Sequence, residues 1–258
     1  MWFKLKAFIC FLLQSSNQHG IHSPFVFDFI SNCFYKKANE IKVSTMDAIR
    51  KLIYENQHIL ETNDYGKGSK VFKTNRRKIA DIAKIAGMNK KKSTLLLNII
   101  AYFHPKNILE IGTSVGLGSA TLSIGNPDAK IITLEGCPNT ANAAQKSFNM
   151  HNLTNIELII GNFNDTLTRS LNNKQMDLIY IDGNHQKEPT LQYFTECISN
   201  IHNDSLIIFD DINWSIEMQE AWNVIKKHPK VTITIDTFFW GIVFFRKSQE
   251  KQHLKIRC

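Results

Sequence analysis

From residue 93 onward, short apolar runs and amphipathic stretches alternate along the chain. The runs at 107–111, 130–134, 156–160, 177–181, 205–209, 231–235 and 241–245 are rich in Ile, Leu, Val and Phe and predict β-strands. Between the first six, the spacing predicts helices near 116–124, 138–150, 163–172, 187–200 and 215–227. Such alternation implies right-handed βαβ crossovers and a parallel sheet covered on both faces. The last two runs are separated only by residues 236–240, which is too short for a crossover, so they are expected to pair antiparallel.

Residues 1–92 read differently. Stretches such as 46–53 and 78–86 carry apolar residues at helical spacing, the glycines of 65–70 mark a loop, and no convincing strand run appears. The chain therefore divides into a helical extension over 1–92, with 66–77 as a possible basic lid, and one α/β domain over 93–258. The apolar run at 7–13 follows two lysines but is too short to cross a bilayer and lacks a small-x-small cleavage site. It is expected to be a packing helix, with the protein cytoplasmic and without a membrane span. The formal charge of +8 permits a nucleic-acid partner, but the excess sits in short runs at 67–78, 90–92 and 247–257 of the kind that form solvated surface. Five scattered cysteines, odd in number and without a C-x-x-C pair, argue for free thiols and against a disulfide framework or a zinc site.

The chemistry starts at Ile108-Leu-Glu-Ile-Gly-Thr-Ser-Val-Gly-Leu-Gly-Ser119, a strand, a glycine-rich turn and a helix start. A dinucleotide loop is tighter, G-x-G-x-x-G, because a pyrophosphate must sit against backbone N–H groups at a helix N-terminus. Here the spacing is Glu110-x-Gly112-x-x-x-Gly116-x-Gly118, and the carboxylate before the first glycine suits a cationic ligand. The segment resembles the cofactor loop of class I S-adenosylmethionine (SAM)-dependent methyltransferases. That resemblance covers about residues 93–246. It implies a Rossmann-like seven-stranded methyltransferase sheet with helices on both faces and cofactor contacts from Glu110, Gly112, Thr113, Gly116 and Gly118.

In such a sheet, ligands bind beyond the carboxyl ends of the strands. Glu110, Glu135, Asn162, Asp182, Asp210 and Asp211 all stand at predicted strand ends. By resemblance, Glu135 accepts hydrogen bonds from the two ribose hydroxyls, and Asn162 takes the place of the acid that usually holds the adenine amino group. Asp182 is a further cofactor contact.

A second cluster places His185 three residues after Asp182, with the adjacent Asp210 and Asp211 after the next strand. This resembles the metal-dependent O-methyltransferases of the catechol and caffeoyl-coenzyme A type. It implies Asp182, Asp210 and Asp211 as Mg²⁺ ligands and Asp182 and His185 as catalytic residues, with His185 at the position of the base. Oxygen ligands suit a hard cation, and a neutral imidazole can take a hydroxyl proton near neutral pH. The blander reading makes Asp210 and Asp211 caps of the helix near 215, although Asn213 or Ser215 suits that role better. Gly20 to Ile30, Tyr65 to Ser69 and Thr190 together resemble a further bacterial group of class I SAM methyltransferases with no assigned acceptor; His22 there reads as structural. Trp214, Trp222 and Trp240 read as core residues before acceptor platforms.

The expected function is SAM-dependent O-methylation of a small molecule bearing a hydroxyl group. Alternatives are an RNA methyltransferase, suggested only by charge, a NAD-dependent oxidoreductase, disfavoured by the glycine spacing, and a catalytically silent SAM-binding module. A homodimer rests on analogy alone.

Overall fold

The computed structural model of the protein describes residues 2–63, 74–172 and 174–257. The N-terminal part contributes α1 (Trp2–Gln14), α2 (Pro24–Cys33), α3 (Glu40–Glu55), β1 (Ile59–Glu61), β2 (Arg76–Lys78), α4 (Ile79–Ala86) and α5 (Lys90–Phe103). Alternation then begins: β3 (Asn107–Ile111), α6 (Leu117–Gly125), β4 (Lys130–Glu135), α7 (Pro138–Met150), β5 (Ile156–Ile160), α8 (Phe163–Leu171), β6 (Met176–Ile181), α9 (Lys187–Cys197), β7 (Ile201–Asp210) and α10 (Ile216–Lys227). The chain closes with β8 (Ile233–Asp236), β9 (Trp240–Phe244) and β10 (Gln252–Lys255). Polar caps start several helices: Ser23, Asn39, Asn89 and Ser215 each accept a first-turn backbone N–H.

The large sheet has the order β10-β8-β9-β7-β6-β3-β4-β5, parallel except where β9 runs against β7 and β8. Strand periodicity divides its apolar residues between two faces. Ile108, Leu178, Tyr180, Leu206 and Ile208 join the core beneath α2, α3, α5 and α6. Leu109, Ile111, Ile179, Ile181, Ile207 and Phe209 join the core beneath α8, α9 and α10. The fold is thus the α/β sheet with helices on both faces that the pattern predicts, and the order reverses between β3 and β6, which opens a ligand crevice at their carboxyl ends.

Three features depart from the sequence expectation. A short antiparallel pair, β1 with β2, stands in the part read as free of strands. Its three-residue strands include Arg76-Arg77-Lys78, whose charge hides any apolar alternation. An eighth sheet strand, β10, pairs parallel with β8 at the sheet edge; it comes from the basic tail read as solvated surface. A charged edge strand carries little apolar signal, because one side of it faces water. Finally, β7 begins at Ile201, four residues early, with a register shift against β6 near Met176.

The N-terminal helices pack tightly on the sheet. Phe29 of α2 is fully buried, with its ring 5.3 Å from that of Phe244 in β9. Asn98 of α5 donates through Nδ2 to the carbonyls of Cys33 and Lys36, both at 2.9 Å, pinning the end of α2. One face of α1 sets Phe8 and Phe11 against Phe238, and no helix among the described residues is long and apolar enough to cross a membrane. Residues 66–73 of the loop read as a lid lie outside the described residues.

Candidate functional site

A cavity of about 300 Å³ opens at the crevice, lined among others by Gly112, Ser114, Glu135, Asn162, Phe163, Asp182 and Tyr193. Tight backbone geometry forms its floor. Gly112 has φ +108°, and a Cβ there would press on the carbonyl of Asp182, which follows the adjacent strand. The turn ends at Gly116, whose φ of +89° starts α6 and whose missing Cβ leaves room for the Phe148 ring.

Glu135, at the end of β4, accepts from the Ser114 N–H through Oε2 at 2.8 Å and from the Cys137 N–H through Oε1 at 2.9 Å. Glu135 also lines the cavity, so its carboxylate stands at the ligand surface. Asn162 lines the same cavity, and its Oδ1 caps α8 by accepting from the Asn164 N–H at 3.0 Å.

Glu110, Thr113, Gly116 and Gly118 stand behind this surface rather than on the cavity lining. Glu110 is fully buried; its Oε2 accepts from the Ser119 hydroxyl and, at 2.6 Å, from Thr133. Thr113 Oγ1 lies 2.6 Å from Thr133 Oγ1, and Gly118 faces Glu110 Oε1. These four residues shape the turn from behind. Burial, aided slightly by Glu135 and opposed by the Ser119 and Thr133 hydroxyls, raises the Glu110 carboxyl to about 7.

The acidic cluster assembles beside the cavity, around a residue the sequence reading assigned to solvated surface. Lys92 of α5 places Nζ 2.5 Å from Asp210 Oδ1, 2.8 Å from Asp210 Oδ2 and 3.7 Å from Asp211 Oδ1. Burial disfavours its charge, but Asp210, then Asp211 and Asp182, outweigh that and raise its pKa. Its signal was helical spacing: Lys92 stands three, four and seven residues before the buried Leu95, Leu96 and Ile99. Tyr180, fully buried in β6, donates to Asp210 Oδ2 at 3.0 Å and lies 3.4 Å from Asp182 Oδ2. His185 Nε2 lies 3.6 Å from Asp182 Oδ1. Burial, then the neighbouring Asp210, pushes the Asp182 carboxyl well above the usual carboxylate range, and Lys92 opposes them.

This arrangement does not fit the Mg²⁺ site implied by resemblance. Asp210 Oδ1 accepts from Lys92 and from the Asp211 N–H at 2.7 Å, and Oδ2 accepts from Lys92 and Tyr180. All of its roughly four acceptor positions are therefore engaged. Among the described residues, no group of three or more His, Cys, Asp and Glu is arranged to hold a metal ion. Helix capping does not explain the pair either, since Ser215 caps α10.

Left-handed backbone gathers at the same edge: Ser114, Asn184, His185, Asp211 and Phe238 all have φ between 48° and 74°. Residues held in such conformations cluster where the surrounding structure fixes a functional geometry. Trp222 and Trp240 are buried in the core, whereas Trp214 is half-buried beneath Lys4, whose Nζ is 3.2 Å from the ring centre.

Residues 109–212 match the family described as a methyltransferase domain. Solved structures share the chain's fold. An S-adenosylhomocysteine (SAH)-bound methyltransferase of Podospora anserina superposes with a TM-score of 0.60 at 15% identity, covering 88% of this chain and 97% of that one. An O-methyltransferase of Bacillus cereus in complex with SAH gives 0.58 at 18% identity, covering 84% and 96%. An O-methyltransferase of tomaymycin synthesis from Streptomyces achromogenes, in complex with SAM, gives 0.54 at 17%, covering 62% and 82%. At these identities the likeness establishes the fold. No curated protein matches the chain. The matched segment runs from β3 into the loop after β7, so Glu135, Asp182, Asp210 and Asp211 fall within it, while Lys92 comes from outside it.

Proposed function

We propose that the protein transfers the methyl group of SAM to a hydroxyl group of a small molecule. The observation that carries this reading is the common edge of Glu135, Asp182 and His185, with Glu135 and Asp182 lining one cavity where the strand order reverses. Bound SAM supplies a methyl group on a positively charged sulfonium, and its departing sulfur keeps the electron pair of the broken C–S bond to give SAH. Glu135, which lines the cavity, accepts from the ribose hydroxyls. Neutral His185 takes the acceptor's hydroxyl proton as the oxygen forms its bond to the methyl carbon. Holding both reactants in line supplies much of the acceleration.

The test is a calorimetric titration of SAH into the wild type and Glu135→Ala, followed by transfer of labelled methyl from SAM to a panel of phenols, catechols and sugars. Saturable binding at least about tenfold weaker in the variant is expected, since a hydrogen bond to a charged group contributes about 1.5–3 kcal/mol. Absence of SAH binding overturns the reading. Binding without turnover on any acceptor class favours a silent SAM-binding module.

A further inference from the structure

The acidic cluster already contains a cation. We propose that the Lys92 ammonium stands where a divalent metal would, so that the centre beside the cavity works without one and Lys92 holds the acceptor oxygen. This rests on the methyl-transfer reading above. Lys92 reaches the cluster from α5, and only 16% of its side chain is exposed, against 5% for Asp210. It bridges both oxygens of Asp210, and Asp210 takes its two remaining hydrogen bonds from Tyr180 and the Asp211 backbone. A divalent ion could reach Asp210 only by displacing the ammonium, and that would leave a buried positive charge against the metal.

The ammonium can also do part of a metal's work. It has three N–H donors, of which two are spent on Asp210; Asp211 Oδ1, at 3.7 Å, is too far for a hydrogen bond. The third donor is available to an acceptor oxygen, whose developing negative charge it would stabilise as His185 removes the proton. The Phe239 ring centre lies 5.8 Å from Lys92 Nζ, and the low exposure of the Lys92 side chain strengthens that interaction.

The deciding experiment follows Mn²⁺ by electron paramagnetic resonance in SAH-saturated wild type, Lys92→Met and Lys92→Met/Asp210→Asn, with SAH affinity measured on the same samples with and without EDTA. The wild type is expected to take up no Mn²⁺ and to bind SAH equally with and without EDTA. Lys92→Met, which leaves Asp210 without its cation, is expected to bind about one Mn²⁺, and the double variant to lose it. If Lys92→Met does not fold, Lys92→Gln, which retains an amide donor toward Asp210, replaces it. Stoichiometric Mn²⁺ uptake by the wild type that Asp210→Asn abolishes overturns the inference, as does a folded Lys92 variant that takes up none. Failure of SAH to bind marks failure of the methyl-transfer reading instead.

Discussion

Glu135 holds the glycine-rich turn closed through Ser114: its Oε2 accepts the Ser114 N–H at 2.8 Å, and the other oxygen accepts the N–H of Cys137 in its own loop. Ser114 sits at φ +51°, a conformation that an unsupported serine rarely adopts. The carboxylate thus shapes the turn before any ligand arrives. Glu135→Gln keeps the size but only one acceptor oxygen. It is expected to lower unfolding stability by about 1–2 kcal/mol in the absence of ligand, besides weakening SAH binding. Urea denaturation of the ligand-free proteins tests this. A variant as stable as the wild type would mean that the turn closes without the carboxylate.

Gly112 makes a sharper demand. Its N–H continues the β3–β4 ladder to the Leu134 carbonyl at 3.0 Å, and a side chain would meet the backbone of Asp182, a wall that cannot rotate away. Gly112→Ala is therefore expected to cost about 2 kcal/mol or more and to weaken SAH binding, because relief requires β3 and β6 to part at the crevice. Gly20→Ala is the control: its nearest neighbour would be the Ser16 side chain at 3.3 Å, in a turn remote from the cavity. Equal urea midpoints for the two variants would refute the close-approach argument.

Sequence legibility tracked how each element is buried. Strands β3, β4, β6 and the second half of β7 are buried and read as largely apolar runs, so their ends, and with them Glu135, Asp182 and Asp210, could be located. Strands β1, β2 and β10 are short, polar or at an edge and carry no such signal. Within the site, the glycine spacing revealed a turn but not which of its side chains face the cavity. Glu110 points back toward Ser119 and Thr133, because strand alternation sets it on the face opposite Ile111. Lys92 was hidden in the run Lys90-Lys91-Lys92, where charge suggested solvent and only helical phase pointed inward.

Asn98 ties the N-terminal helices to the fold. Its amide donates to two carbonyls at the end of α2, and Cys33 Sγ lies 3.9 Å from the Asn98 carbonyl in return. Asn98→Ala leaves both carbonyls without their donor and opens a small void in α5. A loss of about 2 kcal/mol or more is expected. Hydrogen exchange should localise it, with protection falling first in α2 while β3 and β6 keep theirs. Uniform loss across the sheet would show instead that α2 unfolds only with the whole domain.

Glu110 gives the protein a pH dependence of unusual sign. Its carboxyl is raised from 4.5 to about 7, first by burial, so the folded state holds a proton that the unfolded chain has released. Below 4.5 both states are protonated and the group contributes no difference; above 7 both are ionised and the folded state carries a buried charge. Stability should therefore fall as pH rises between those values, on the order of 3 kcal/mol in all. Glu110→Gln mimics the protonated carboxyl, keeps an oxygen for Ser119 and Thr133, and cannot ionise. Other titrating groups cancel in the comparison. Urea denaturation at about pH 5 and pH 8 should find the two proteins closest in stability at the lower value and the variant more stable at the higher one. A difference that does not change with pH would mean that Glu110 keeps the same charge in both states.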